Sequence, residues 1–196
     1  MAKKFLKTII STGMIAASVL ALSGCATKSA ANKGNTAGST IKIGVNMELS
    51  GAVAGYGEQE KQGVELAVKQ INAAGGIKVG NSKKKITAIY RDNKSSTSGA
   101  ASVAAQLANS DKAVAIVGPA TTNDGTASIP NVTKAGVPMV GPSATDPNFT
   151  LQKNGSVQKY VFRACFTDAF QGEKAAVFAN DTLKVKNIAI IADNST

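Results

Sequence analysis

From Ile41 onward the apolar residues switch between two spacings. Ile41, Ile43, Val45 and Met47 occupy alternate positions, with Lys42, Gly44 and Asn46 between them, and predict a first strand. The run Ser50-Gly51-Ala52-Val53-Ala54-Gly55-Tyr56-Gly57 predicts a turn. Val64, Ala67, Val68 and Ile71 then recur at helical spacing; Glu58 and Glu60 suit the N-terminus of that helix, and Gly75-Gly76 ends it. Ile86 to Tyr90 predicts a second strand, and Gly99 to Ala108 a small-residue helix with Val103 and Leu107 inward. Ala113 to Val117 is almost wholly apolar, as a strand covered on both faces should be. A weaker helix is expected over about Gly125 to Lys134, where Pro130 interrupts the pattern. Val137 to Val140 and Tyr160 to Ala164 read as a fourth and fifth strand, Thr167 to Thr182 as a helix, and Asn187 to Ala192 as a sixth strand.

Strands alternating with helices predict an α/β fold with a parallel sheet. Ligands of such folds bind beyond the carboxyl ends of the strands. That rule selects three loops: Ser50 to Gly57, Gly118 to Asp124, and Gly141 to Asp146. The last two are rich in hydroxyls. Thr121 and Thr122 precede a helix, where hydroxyls and amide N–H groups suit an anion such as a carboxylate; equally, Thr121, Thr122 or Asn123 caps the helix. Ser143 and Thr145 offer hydroxyls to an ammonium or a carboxylate, or serve the turn after Pro142. Tyr56 either lies over an apolar ligand side chain or packs on its own loop.

The sequence before Ile41 changes the picture. Lys3, Lys4 and Lys7 precede an uncharged stretch from Thr8 to Leu22, the parts of a secretory signal. This stretch falls short of the roughly 20 apolar residues of a stable membrane span. Leu22-Ser23-Gly24-Cys25 resembles the bacterial lipobox, in which the cysteine becomes the lipidated first residue. Residues 1–24 are therefore expected to be a signal peptide and Cys25 the lipidation site, with acyl chains contributing about 0.8 kcal/mol per buried methylene. Residues 25–40 lack large apolar side chains and read as a flexible tether.

The chain has 22 Lys and Arg against 12 Asp and Glu. Removal of the leader takes three lysines and no acid, leaving 19 against 12, or +7. Such a charge suggests nucleic acid. Export and the scatter of the lysines argue against that partner. The one run, Lys83-Lys84-Lys85, reads as a solvated turn, with attraction to anionic wall polymer or lipid headgroups as the alternative. Absence of histidine removes Ser-His-Asp and Cys-His pairs and histidine metal sites, so no enzyme and no cofactor is expected. Gly51, Gly55 and Gly57 have the wrong spacing for a dinucleotide loop, and only Asp92 is placed to meet a ribose. Cys165, in an apolar run and without a partner once Cys25 is lipidated, is expected to be a buried core thiol.

The runs SG-x-x-A-x-YG, INAAGGI, IVGPATT, AGVPMVGPSATDP and FR-x-x-x-TD-x-x-QG occur here in order. Together they resemble the branched-chain amino acid binding proteins of ABC transporters, over about Ile41 to Thr196. The resemblance implies a type I periplasmic-binding-protein fold with two α/β lobes and an amino acid held between them. It carries the ligand carboxylate to Thr122, contacts to both polar groups to Ser143, Ala144 and Thr145, the ligand side chain to Tyr56, and an acidic position near the lobe crossover to Asp168. Lys94 and Thr121 stand where some relatives have a disulfide. By this resemblance residues 41–165 are an N-terminal lobe and 166–196 the start of an incomplete second lobe. That second lobe would supply the acid that pairs the ammonium. The implied partners are an ABC permease and, through the anchor, the outer face of a cell membrane, that of a single-membrane (Gram-positive) cell. The alternative is a ligand-sensing receptor domain of the same fold, for amides or other small acids.

Overall fold

A computed structural model describes residues 40–191; the predicted leader, Cys25, Ala192 and the tether apart from Thr40, which instead begins the first strand, lie outside the described residues. The elements run β1 (Thr40–Met47), α1 (Ala54–Ala73), β2 (Ile77–Val79), β3 (Ser82–Asp92), α2 (Thr97–Asn109), β4 (Ala115–Val117), α3 (Thr122–Ala135), β5 (Met139–Gly141), β6 (Val161–Arg163) and α4 (Asp168–Val177). Among the described residues the strands form one sheet in the order β2-β3-β1-β4-β5-β6. All pairings are parallel except β2 with β3. The expected α/β class and parallel sheet are therefore present, with β1 in the interior, Val45 facing Tyr90 on one side and Val117 on the other.

Because the strands are parallel, the loops after β1, β3, β4, β5 and β6 emerge at one edge. Two hydrophobic groups hold them there. The larger joins Val103 and Leu107 of α2 to Ile116, Val132, Met139, Phe149 and Val161. Full burial of such side chains stabilises by about 1.5–3 kcal/mol each. Ala100, Ala104 and Ala108 are buried too, so their small side chains let α2 approach its neighbours closely. The second group is Val45, Met47 and Ala120, with Val64 of α1 packed against it. A buried polar network crosses the layers: Asn46 donates to the Ala100 carbonyl at 3.0 Å and accepts from Asn93 at 3.2 Å. Buried amides without partners would be costly, so these bonds fix the register of β1 against α2.

Several expectations are corrected. α3 runs from Thr122 and passes through Pro130, since the carbonyl one turn before the proline belongs to exposed Thr126, which water can satisfy. Lys83-Lys84-Lys85 is not a turn; it lies in β3, where β2 pairs Ile77 with Lys84 and Lys78 with Lys83, and the turn is Gly80-Asn81. Ala67 is exposed, although Val64, Val68 and Ile71 of the same predicted face are half-buried. Residues 187–191 form no strand: Ile190 and Ile191 are 87% and 99% exposed. A strand needs a neighbour to take its N–H and C=O groups, and among the described residues none pairs with this segment. No residue of α4, nor of the π-helical turn Phe178–Thr182 that follows it, is buried.

Candidate functional site

The loops at the carboxyl edge of the sheet enclose an open cleft of about 1100 Å³. Tyr56, Thr122, Ser143, Thr145 and Asp168 all line it. Five residues distant in sequence are thus brought together by strand order alone. Ala144 is not among the lining residues; it is fully buried in the larger hydrophobic group, facing Gly141 and Phe149. Cys165 was expected in the core and instead stands half-buried in the cleft wall. Burial still pushes its thiol pKa up, against the pull of Arg163.

The loop from Gly118 to Thr122 enters the cleft at the start of α3. Thr121 occupies the N-cap position with extended backbone, yet its hydroxyl makes no capping bond. It donates instead to Glu48, at 3.0 Å. The first backbone bond of α3 runs from the Gly125 N–H to the Thr121 carbonyl. The amides of Thr122, Asn123 and Asp124 precede it, and a helix leaves such first-turn donors for an outside acceptor. Thr122 Oγ1 accepts a long bond from the Asp146 N–H at 3.4 Å, which leaves its own proton to point into the cleft.

The opposite wall is the loop after β5. Arg163 donates to the carbonyls of Asp146, at 2.6 Å, and Ala144, at 3.5 Å, and so fixes the turn. The Asp168 N–H donates to the Thr145 carbonyl at 3.0 Å, tying the start of α4 to the same loop. Thr145 and Asp168 are therefore neighbours. The Ser143 hydroxyl donates to Glu60 of α1 in a short bond. With its proton taken, the Ser143 hydroxyl is left as an acceptor. Burial raises the Glu60 pKa; the Ser143 bond lowers it and the charge of Glu48 raises it further.

Two parts of the site were not anticipated. Ser95, Ser96 and Thr97, after β3, line the cleft as well. Ser96 caps α2, accepting from the Gly99 N–H, and Ser95 bridges to the Ser50 carbonyl at 2.6 Å. The after-strand rule points to them, but their composition reads as ordinary turn. Asp92, considered for a ribose, accepts from Ser50 Oγ at 2.6 Å and from the Leu49, Ser50 and Lys94 amides. Burial alone would raise its pKa; the bonds from Ser50, Lys94 and Leu49 outweigh that and hold it below the usual carboxylate range. It fastens two loops together. The second unanticipated part is Glu48, which does not line the cleft but lies fully buried directly after β1, bonded to the cleft loop at Ala120 and Thr121.

Comparison with known proteins agrees with this architecture. An amino acid binding protein of Pseudomonas aeruginosa is 30% identical over 190 residues, 97% of this chain and 46% of that protein. A Leu/Ile/Val-binding protein homolog of Brucella melitensis is 35% identical over 78% of this chain and 39% of its own length. The branched-chain amino acid transporter substrate binding protein LivJ of Streptococcus pneumoniae, solved in complex with isoleucine, is 46% identical, with a TM-score of 0.66 over 74% of this chain and 39% of that one. The chain spans less than half the length of each of these proteins. Residues 40–196 match the periplasmic binding protein family, to which this chain belongs.

Proposed function

We propose that this chain forms the first lobe of an extracytoplasmic solute-binding protein that captures a branched-chain amino acid for an ABC importer. The observation that carries the reading is the cleft itself, where the uncapped start of α3 faces the hydroxyl-bearing loop after β5. The amides of Thr122 to Asp124 and the Thr122 hydroxyl suit a carboxylate. The Thr145 hydroxyl and the Ser143 and Ala144 backbone suit the remaining polar contacts, and Asp168 lies beside Thr145 as a counter-charge for an ammonium. Tyr56, 62% exposed, offers its ring to an apolar side chain. The isoleucine complex of LivJ supports the ligand class. The domain boundaries fit this reading: residues 41–165 as the lobe, 166–196 as the entry to a second, residues 1–24 as a cleaved leader and Cys25 as the lipid anchor.

Amide resonances followed during addition of L-isoleucine test the ligand. Saturable shifts confined to Thr121–Asp124 and Ser143–Asp146, at millimolar concentration, are expected. No shift at any of these residues overturns the reading. Incorporation of labelled fatty acid in cells tests the anchor, and persistence of label in Cys25→Ala overturns it.

A further inference from the structure

Glu48 follows the last residue of β1 and is fully buried. Its backbone is packed so closely against α1 that a Cβ on Gly57 would overlap the Glu48 carbonyl. A buried carboxylate is stable only when hydrogen-bonded. Here, among the described residues, the three donors come from two consecutive residues of the cleft loop: the Ala120 N–H at 3.0 Å, the Thr121 N–H at 3.1 Å and the Thr121 hydroxyl at 3.0 Å. The last bond draws away the side chain that would otherwise cap α3.

Asp124, one turn into α3, is 4% exposed and lies beside Glu48. Burial first, then the Glu48 charge and a hydrogen bond to Glu48, push its pKa up to about 6, against a lowering by Thr121. Two carboxyl groups hydrogen-bond to each other only through a proton. The other charged groups around them offer no compensation. Glu60 of α1 is itself raised, with Oε2 buried and unpartnered. Asp92 of β3 is held by its own amides, and Arg163 and Asp168 act on Cys165 and the loop after β5. Among the described residues neither Glu48 nor Asp124 is in an ion pair.

We propose that Glu48 is a positioning residue of the ligand site, setting the Ala120 and Thr121 peptides and releasing the first-turn amides of α3 for a ligand carboxylate. The ligand half of this statement rests on the proposed function; the loop half does not. Asp124 is buried beside the same loop, and burial favours the form that keeps its proton. Its loss adds a second charge beside the amides that receive the carboxylate and replaces an attraction by a repulsion. Affinity for an amino acid therefore falls as pH rises through that ionisation, by at least about threefold even with strong solvent screening.

Carboxyl carbon resonances of the chain, followed from pH 4 to 9 without ligand, give the first test. Asp124 is expected to report a midpoint near 6, and the Ala120 and Thr121 amides to move with it. Titration of Asp124 in the ordinary carboxylate range overturns the pH dependence. In Glu48→Gln the Asp124 midpoint should drop and the Thr122–Asp124 amides shift; unchanged amides overturn the positioning role. Titration with L-isoleucine at pH 5 and pH 8 is the second test, and weaker binding at pH 8 is expected in the parent but not in Asp124→Asn. Equal affinity at both values in the parent overturns the inference and leaves the ligand reading standing. Absence of any isoleucine response overturns the ligand reading, and the ligand-free titration then still decides the role of Glu48. If Glu48→Gln fails to fold, Asp124→Asn and the parent titration settle the matter.

Discussion

Residues from Thr40 to Arg163 and residues from Asp168 to Ile191 carry the same kind of message, apolar side chains at helical and strand spacing, and fold to different degrees. In the first region Val45, Ile116 and Met139 are fully buried. In the second, Phe170, Phe178, Leu183, Ile188 and Ile190 are exposed, and neither helical segment buries a residue. Local pattern specifies where a chain is willing to bury, but burial itself needs a partner surface. α1 to α3 find theirs on the two faces of the sheet, whereas α4 is attached chiefly through the Asp168 amide and the cleft-lining Phe166, Asp168 and Gln171.

Amide exchange should show the widest gap. The Ile116 and Gly118 amides, bonded to Pro138 and Val140, are expected to exchange at least on the order of a thousandfold more slowly than those of Ile190 and Ile191. Comparable protection in both places would abolish the distinction. Truncation comes next. Ile116→Ala should lose about 2–5 kcal/mol in urea denaturation, while Ile190→Ala should stay within about 0.5 kcal/mol. A similar loss at both sites would show that the second region is packed. Within the cleft, Thr122→Val keeps the shape of the side chain and removes its hydroxyl. It should weaken isoleucine binding by about 1.5–3 kcal/mol, the worth of a bond to a charged group, and leave the urea midpoint unchanged. Loss of stability with unaltered binding would assign Thr122 to the fold instead.

The smallest effect is that of pH on stability. The folded pKa of Asp124 is raised above its unfolded value, so the folded state binds the extra proton between them. Stability from this group is complete below about pH 4 and is lost as pH rises through about 6, on the order of 1 kcal/mol after solvent screening. Asp124→Asn should flatten that slope, measured as thermal midpoint against pH. An unchanged slope would place the titration elsewhere, with Glu60 the next group to replace.

The parts of the fold legible in the sequence are those whose cause is local. Alternation in Ile41 to Met47 and the apolar run Ala113 to Val117 located the interior strands. The rule that ligands meet parallel sheets at their carboxyl ends then selected Tyr56, Thr122, Ser143 and Thr145, and the family resemblance added Asp168; all five line one cleft. β2 escaped because Ile77–Val79 is an edge strand with all three residues exposed, and an edge strand carries no inward face to alternate. Lys83 to Lys85 hid the start of β3 for the same reason. Glu48 could not be recognised, since its meaning lies in donors 72 and 73 positions away. The run Ile188 to Ile191 has the composition of a strand, but composition names no neighbour.

The sheet has unlike ends. On one side the β2–β3 hairpin sets Lys78 directly across from Lys83, with Lys85 close by, all exposed. Like charges along an edge repel an incoming copy of the same edge and add the cost of desolvating ammonium groups. On the other side β6 spans three residues, and Phe162 in its middle is half exposed. Pairing of one β2 edge with another is thereby disfavoured, whereas β6 carries no row of lysines to repel an approaching strand.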